Sequence, residues 1–265
     1  MVFPLFFLYN NNAAIQPPPK TAAEPAAEMQ GEKMEICKIS LDWVLNARGK
    51  QIRPILTLLC SRLKGKKVDV TEVAAIIEIC HTASLIHDDI IDDADTKRGQ
   101  LSVQKKFGRE MAVYCGDFMI FAAMGRTDLR IKPWYRAMFS RLEMMCDGEI
   151  SQYDNQYNTD IKEEKYMENI VGKTSAMFSI ACEAGAYEGK CDPDEIEAID
   201  EFAKNLGLLF QIRAAGGYGY TLKKMEHFKN LAKESLEIFG DSVARRKLTE
   251  LVDYLWESTN VLRME

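Results

Sequence analysis

The stretch "TEVAAIIEICHTASLIHDDIIDDADTKRG", residues 71–99, runs from a nearly unbroken apolar segment into five aspartates between Asp88 and Asp95, with Lys97 and Arg98 directly behind them. Its apolar residues recur at three and four positions and do not alternate. That period predicts one helix of about six turns over 71–93, with Thr71 a candidate N-cap. Residues 73–86 are apolar nearly all round, the pattern of a helix enclosed by others. Outward from this helix the same period continues. "PILTLLCSRLKG" is expected to start with Pro54 at the first helical position and to end at Gly65. Further helices are predicted over 102–124, 133–157, 163–187, 193–213, 221–239 and 242–260, with a hinge at Gly240–Asp241. Asp192, Pro193 and Glu195 mark one start as cap, first-turn proline and capping-box acid. No convincing run of strands interrupts them, so the fold class is all-α.

The chain has 265 residues, 47% of them hydrophobic, which is enough for a buried core. A formal net charge of −6 argues against nucleic-acid binding, which depends on a basic surface that displaces counterions. Any anionic ligand must therefore meet local positive charge or a metal. Cys37, Cys60, Cys80, Cys115, Cys146, Cys182 and Cys191 lack the paired spacing of zinc or redox motifs, so a reducing cytoplasm is the simplest location. The opening "MVFPLFFLYNNN" is far shorter than the roughly 20 apolar residues of a membrane span, so no transmembrane segment is expected. Residues 1–33, rich in Asn, Pro and Ala, read as an irregular arm, and 34–265 as a single domain.

Asp88 and Asp92 lie one helical turn apart on the same face, where unpaired carboxylates repel by a few tenths of a kcal/mol, at about that level for an exposed site. From the acids alone, a solvated helix end reads as well as a functional site. Three features favour function. His81, Ser84, Asp88 and Asp92 form one stripe, so the acids continue a face that descends into apolar residues. Carboxylate pairs suit Mg2+, which binds through one or two of them plus substrate phosphates. Lys97 and Arg98 add positive charge beside the acids. An EF-hand is set aside because the glycine and distal glutamate of its loop are missing. "GKTS" at 172–175 is no P-loop, since Met167 stands where the first glycine belongs.

With these residues in view, the chain resembles the trans-isoprenyl (polyprenyl) diphosphate synthases. "HTASLIHDDIIDDADTKRG" is similar to that family's first aspartate-rich motif, and "GKQIRP" at 49–54 to its upstream diphosphate-binding motif. "GD" at 116–117, "GEISQ" at 148–152, "GKTSAMF" at 172–178 and "GLLFQIR" at 207–213 follow in the family's order. The resemblance implies an isoprenoid-synthase-type helical bundle around a central cavity. It also implies a Mg2+-dependent prenyltransferase joining isopentenyl diphosphate to an allylic prenyl diphosphate. Asp88 and Asp92 would hold the metal, with Asp89 in support. Lys97, Lys173, Thr174 and Gln211 would contact the allylic substrate, Lys173 among the catalytic residues. Lys50, Arg53, His81 and Arg98 would hold the diphosphate of isopentenyl diphosphate. Taken singly, Arg53 is also readable as a helix-entrance surface residue and His81 as a core histidine. The family is usually dimeric, so a homodimer is expected. Ala83 and Ser84 stand where bulky aromatics close the pocket for short products, so products of C25 or longer are implied. From Asp88 back to Ile77 there is about 16 Å of helix at 1.5 Å per residue.

One feature departs from the family. Its second aspartate-rich motif should follow "FQIR", yet Ala214 and Ala215 stand there and the sequence continues as "GGYGYTLKKMEHF". Either a segment is missing between 213 and 214, or the chain is a variant lacking one metal site. The second case implies a catalytically impaired partner subunit of a heteromeric prenyl diphosphate synthase.

Overall fold

Helices dominate because apolar residues recur at the helical period and caps mark where the segments begin. The computed structural model describes residues 39–44, 51–125, 132–154, 172, 175–215 and 220–257. The expected arm over 1–33 lies outside them, as do Lys50, Lys173 and Thr174. After a helical stretch at 39–44 come α1 (Ile52–Cys60), α2 (Thr71–Ile91), α3 (Val103–Phe107), α4 (Arg109–Met124) and α5 (Pro133–Asp154). They are followed by α6 (Ala176–Glu188), α7 (Pro193–Ala215), α8 (Tyr220–Glu234) and α9 (Val243–Glu257). The sheet among the described residues is a two-stranded antiparallel ribbon, β1 (Thr96–Lys97) with β2 (Gln100–Leu101). The all-α expectation therefore holds, apart from a ribbon too short to show a period of two. Among the described residues no helix is long and apolar enough to cross a membrane.

The chain divides into two compact units, one of Met1–Gln51 with Glu78–Thr127, the other of Ile52–Ile77 with Asp128–Glu265. In the first, Ala83 and Ile86 of α2, Val103 of α3, and Ala112, Cys115, Met119 and Ala123 of α4 are buried. The predicted single helix over 102–124 is two helices. Gly108, at φ +95°, ψ 154°, breaks it in a conformation that glycine alone adopts without strain. Ser102 caps α3, its hydroxyl accepting from the Lys105 N–H at 3.2 Å.

In the second unit, α6 packs on α1, α5 and α7. Ten of the residues of α6 are buried, Phe178, Ala181 and Cys182 completely. Gly185 permits the contact with α1, for a Cβ there would lie 2.3 Å from the Thr57 carbonyl oxygen. The capping box at the start of α7 is present: the Asp192 N–H donates to Glu195 at 2.8 Å and the Glu195 N–H to Asp192 at 3.0 Å. Lys64 adds an ion pair to Glu195 at 2.7 Å. Other boundaries differ in detail. α1 starts at Ile52, which puts Pro54 at the third helical position, still within the first turn, where a missing N–H costs nothing. Thr71 is the first helical residue and not the cap; Asp69 Oδ1 accepts from its N–H at 3.0 Å and its hydroxyl at 2.6 Å. The helix predicted over 221–239 leaves α-geometry at Glu234, after which the N–H groups of Leu236, Glu237 and Phe239 bond three residues back.

Candidate active site

The acidic end of α2 is held by polar groups of its own unit. The Asp92 N–H donates to the Asp88 carbonyl at 2.8 Å, so the helical turn linking the two acids continues past Ile91. Asp88 is half-buried and Asp92 exposed, both on the face one turn apart that the spacing predicts. His81 is half-buried on the same stripe, its carbonyl accepting the Ser84 hydroxyl at 2.8 Å.

The flanking residues take other directions. At 100° per residue, His87 and Asp89 project about 100° to either side of Asp88. Asp89 is only 7% exposed, and its Oδ1 accepts from Lys97 Nζ at 2.6 Å. Gln104 Nε2 donates to the Asp89 carbonyl at 2.7 Å and to that of Ala94 at 3.1 Å, and the Ser102 hydroxyl also donates to Ala94 at 2.7 Å. On the other flank, His87 Nε2 lies 3.3 Å from Asp117 Oδ1 of α4. Gly116 makes room for the ring, since a Cβ there would be 2.4 Å from Nε2.

Lys97 and Arg98 lie on the ribbon that follows. Thr96 pairs with Leu101 and Lys97 with Gln100, leaving Arg98 and Gly99 as a two-residue turn. Both have positive φ, 52° and 80°, as a type I′ hairpin requires. The ribbon is tied to the 39–44 segment by Gln100 Nε2 donating to the Trp43 carbonyl at 3.0 Å and Trp43 Nε1 donating to the Leu101 carbonyl at 2.9 Å. Asp89, Lys97 and Arg98 share the lining of a recess with Trp43, Leu85 and Gln100.

In the second unit three of the quoted motifs meet. The Arg53 guanidinium of "GKQIRP" sits over the Phe178 ring of "GKTSAMF", 5.1 Å from its centroid. On that same ring packs Phe210 of "GLLFQIR", centroids 5.5 Å apart, next in sequence to Gln211. Of the expected site residues, His81, Asp88, Asp92, Lys97 and Arg98 thus belong to one unit, and Arg53 and Gln211 to the other.

Sequence reasoning assigned no role to His87, Gln104, Phe178 or Phe210. The signal available was a "GD" dipeptide inside a helix, where glycine costs about 1 kcal/mol unless something approaches closely.

The donor set suits a hard divalent cation, since two carboxylates on one face leave positions for phosphate oxygens. Cysteine chemistry is less well served: burial pushes the Cys80 and Cys191 thiols up to about 12, so they stay protonated at neutral pH.

Residues 34–214 match the polyprenyl synthetase family. The chain is 37% identical over 176 residues to the short chain isoprenyl diphosphate synthase of Methanothermobacter thermautotrophicus, covering 64% of this chain and 54% of that protein. It is 32% identical over 172 residues to the octaprenyl diphosphate synthase of Escherichia coli, covering 64% and 53%. The structure superposes on a decaprenyl diphosphate synthase from Rhodobacter capsulatus with a TM-score of 0.78 at 21% identity, covering 88% of this chain and 98% of the other. An all-α isoprenyl-synthase fold and a family match over most of the length place the chain in one class: it belongs to the polyprenyl synthetase family. It spans about half the length of the curated relatives it matches.

Proposed function

We propose that this chain is a Mg2+-dependent prenyltransferase that condenses isopentenyl diphosphate with an allylic prenyl diphosphate. The observation that carries this reading is the pair Asp88 and Asp92, set on one face at the end of a largely apolar helix. Bound Mg2+ would supply charge neutralisation to the diphosphate leaving group. The chain's own residues do the remaining work. Asp88 and Asp92 would hold the metal and so orient the diphosphate head of the allylic substrate. Lys97, Lys173, Thr174 and Gln211 hold the same diphosphate. Lys50, Arg53, His81 and Arg98 hold that of isopentenyl diphosphate, because basic groups bind phosphate oxygens through charge-assisted hydrogen bonds. When the allylic C–O bond breaks, its electron pair leaves with the diphosphate. The double bond of isopentenyl diphosphate then forms the new C–C bond, and a proton is lost to the released diphosphate. Small residues at Ala83 and Ser84 favour products of C25 or longer. The cysteines are scattered without paired spacing, which favours a cytoplasmic location.

The family match stops at residue 214, which supports reading the 213–214 junction as lacking a segment that carries the second acidic motif. Ala214 and Ala215 at the end of α7 favour a second reading, an impaired partner subunit. A metal-dependent condensation assay on the purified chain separates the two. Elongation of an allylic primer is expected under the first reading. No elongation alone, but stimulation of an active subunit, would establish the second. In the first case Lys50→Ala and Arg53→Ala should raise KM for isopentenyl diphosphate about tenfold or more, the loss of one charge-assisted contact; an unchanged KM in both would remove that assignment.

A further inference from the structure

We propose that His87 and Lys97 are positioning residues, which brace from two sides the helical turn that presents Asp88 and Asp92. This rests on the reading of those acids as a Mg2+ site. Three observations carry it. His87 and Asp89 are the immediate neighbours of Asp88, about 100° to either side of it around the helix axis. Each is tied to a different element: His87 to α4, with Nε2 3.3 Å from Asp117, and Asp89 to the ribbon, through Lys97 at 2.6 Å. The His87 side is also shaped for the ring, because only a glycine at 116 leaves room for it.

A brace of this kind controls rotation. An aspartate carboxylate lies about 6 Å from its helix axis, so a turn of about 10° moves it about 1 Å, beyond the tolerance of a working site. Residues packed on one side of a helix resist translation better than rotation. Ties on opposing flanks resist rotation in both senses. Toward the metal site Lys97 contributes through Asp89, to which its ammonium is paired at 2.6 Å, in addition to its proposed contact with the allylic diphosphate.

The test is Mn2+ binding to the whole chain, read from the free-ion EPR signal, with thermal unfolding of each variant measured in parallel. Asp88→Asn serves as the control that removes the site. Gly116→Ala changes no charge and displaces the imidazole. It should weaken Mn2+ about tenfold, as outer-shell substitutions do, with His87→Ala weakening it similarly and His87→Gln recovering part of the loss. Lys97→Met is the sharper case. Removing a cation should tighten Mn2+ binding by Coulomb's law alone, whereas loss of the brace weakens it. Unchanged affinity in Gly116→Ala, or unchanged or tighter binding in Lys97→Met, overturns the brace, whatever happens to the unfolding midpoint. If the wild-type chain shows no Mn2+ binding that Asp88→Asn abolishes, the metal site itself is refuted and the brace with it.

Discussion

Arg98 shows what a single residue tolerates for its position. It occupies the first turn position of a type I′ hairpin at φ 52°, where a side chain other than Asn, Asp or Gly is strained. A long cationic side chain there is understandable if its charge is needed at the hairpin tip, beside the acids. Arg98→Asn should then raise stability by up to about 1 kcal/mol, because asparagine enters the left-handed region more easily. Arg98→Ala, which removes the charge without that relief, should not. Urea unfolding of both variants measures the difference, and equal stabilities would show that the turn is not strained at this residue. The same residue carried a legible functional hint, Lys97–Arg98 after an acidic helix end, but its backbone state was not legible. Two-residue ribbons show no period.

At the scale of elements, three helices of the second unit are joined by a partly buried ion network. Arg141 of α5 pairs with Glu183 of α6 and, at 2.9 Å, with Asp200 of α7, and Lys204 reaches Asp200 at 2.9 Å. Burial raises the Glu183 carboxyl above its usual range, and Arg141 only partly offsets this. For Asp200 the balance is reversed: burial would raise it, but Ser179, Lys204 and Arg141 together hold it below its ordinary value. A depressed native carboxyl contributes stability that is present above its unfolded value, about pH 4, and is lost as pH falls through the lowered native one. Asp200→Asn leaves Arg141 short of a partner and should cost about 3 kcal/mol near pH 7. The gap from wild type should narrow as pH is lowered toward about 3. A gap independent of pH in urea titrations would mean that the ion pairing is not its source. Nothing in the sequence linked Arg141 to residues 42 and 59 positions away. Helix period was legible there, whereas partner choice across helices depends on packing.

For the whole molecule, Tyr114, Phe118 and Phe121 form a stripe along α4 and are 66%, 51% and 66% exposed. Spaced by four and three residues, they share one helix face, and aromatic residues are enriched where a surface is buried on association. This supports the expectation of a homodimer, with a second copy of the chain as the occupant of the stripe. Phe118→Glu combined with Phe121→Glu should shift the purified chain from dimer to monomer in sedimentation velocity, leaving helix content unchanged. A chain that is monomeric without the substitutions, or dimeric with them, would remove the stripe from that role.

By itself the sequence determined the helical class, most helix starts, and the face shared by Asp88 and Asp92. These depend on period, caps and turn residues that act within a few positions of one another. It also made the family resemblance readable, through short motifs kept in order. Tertiary structure decided the rest. The break at Gly108, the engagement of Lys97 by Asp89, the seat of His87 against Gly116 and the meeting of Arg53, Phe178 and Phe210 all depend on which elements approach, and how closely. The acidic end of α2 is therefore local in origin, but its orientation is set by α4 and the ribbon, because a helix's own hydrogen bonds do not fix its rotation.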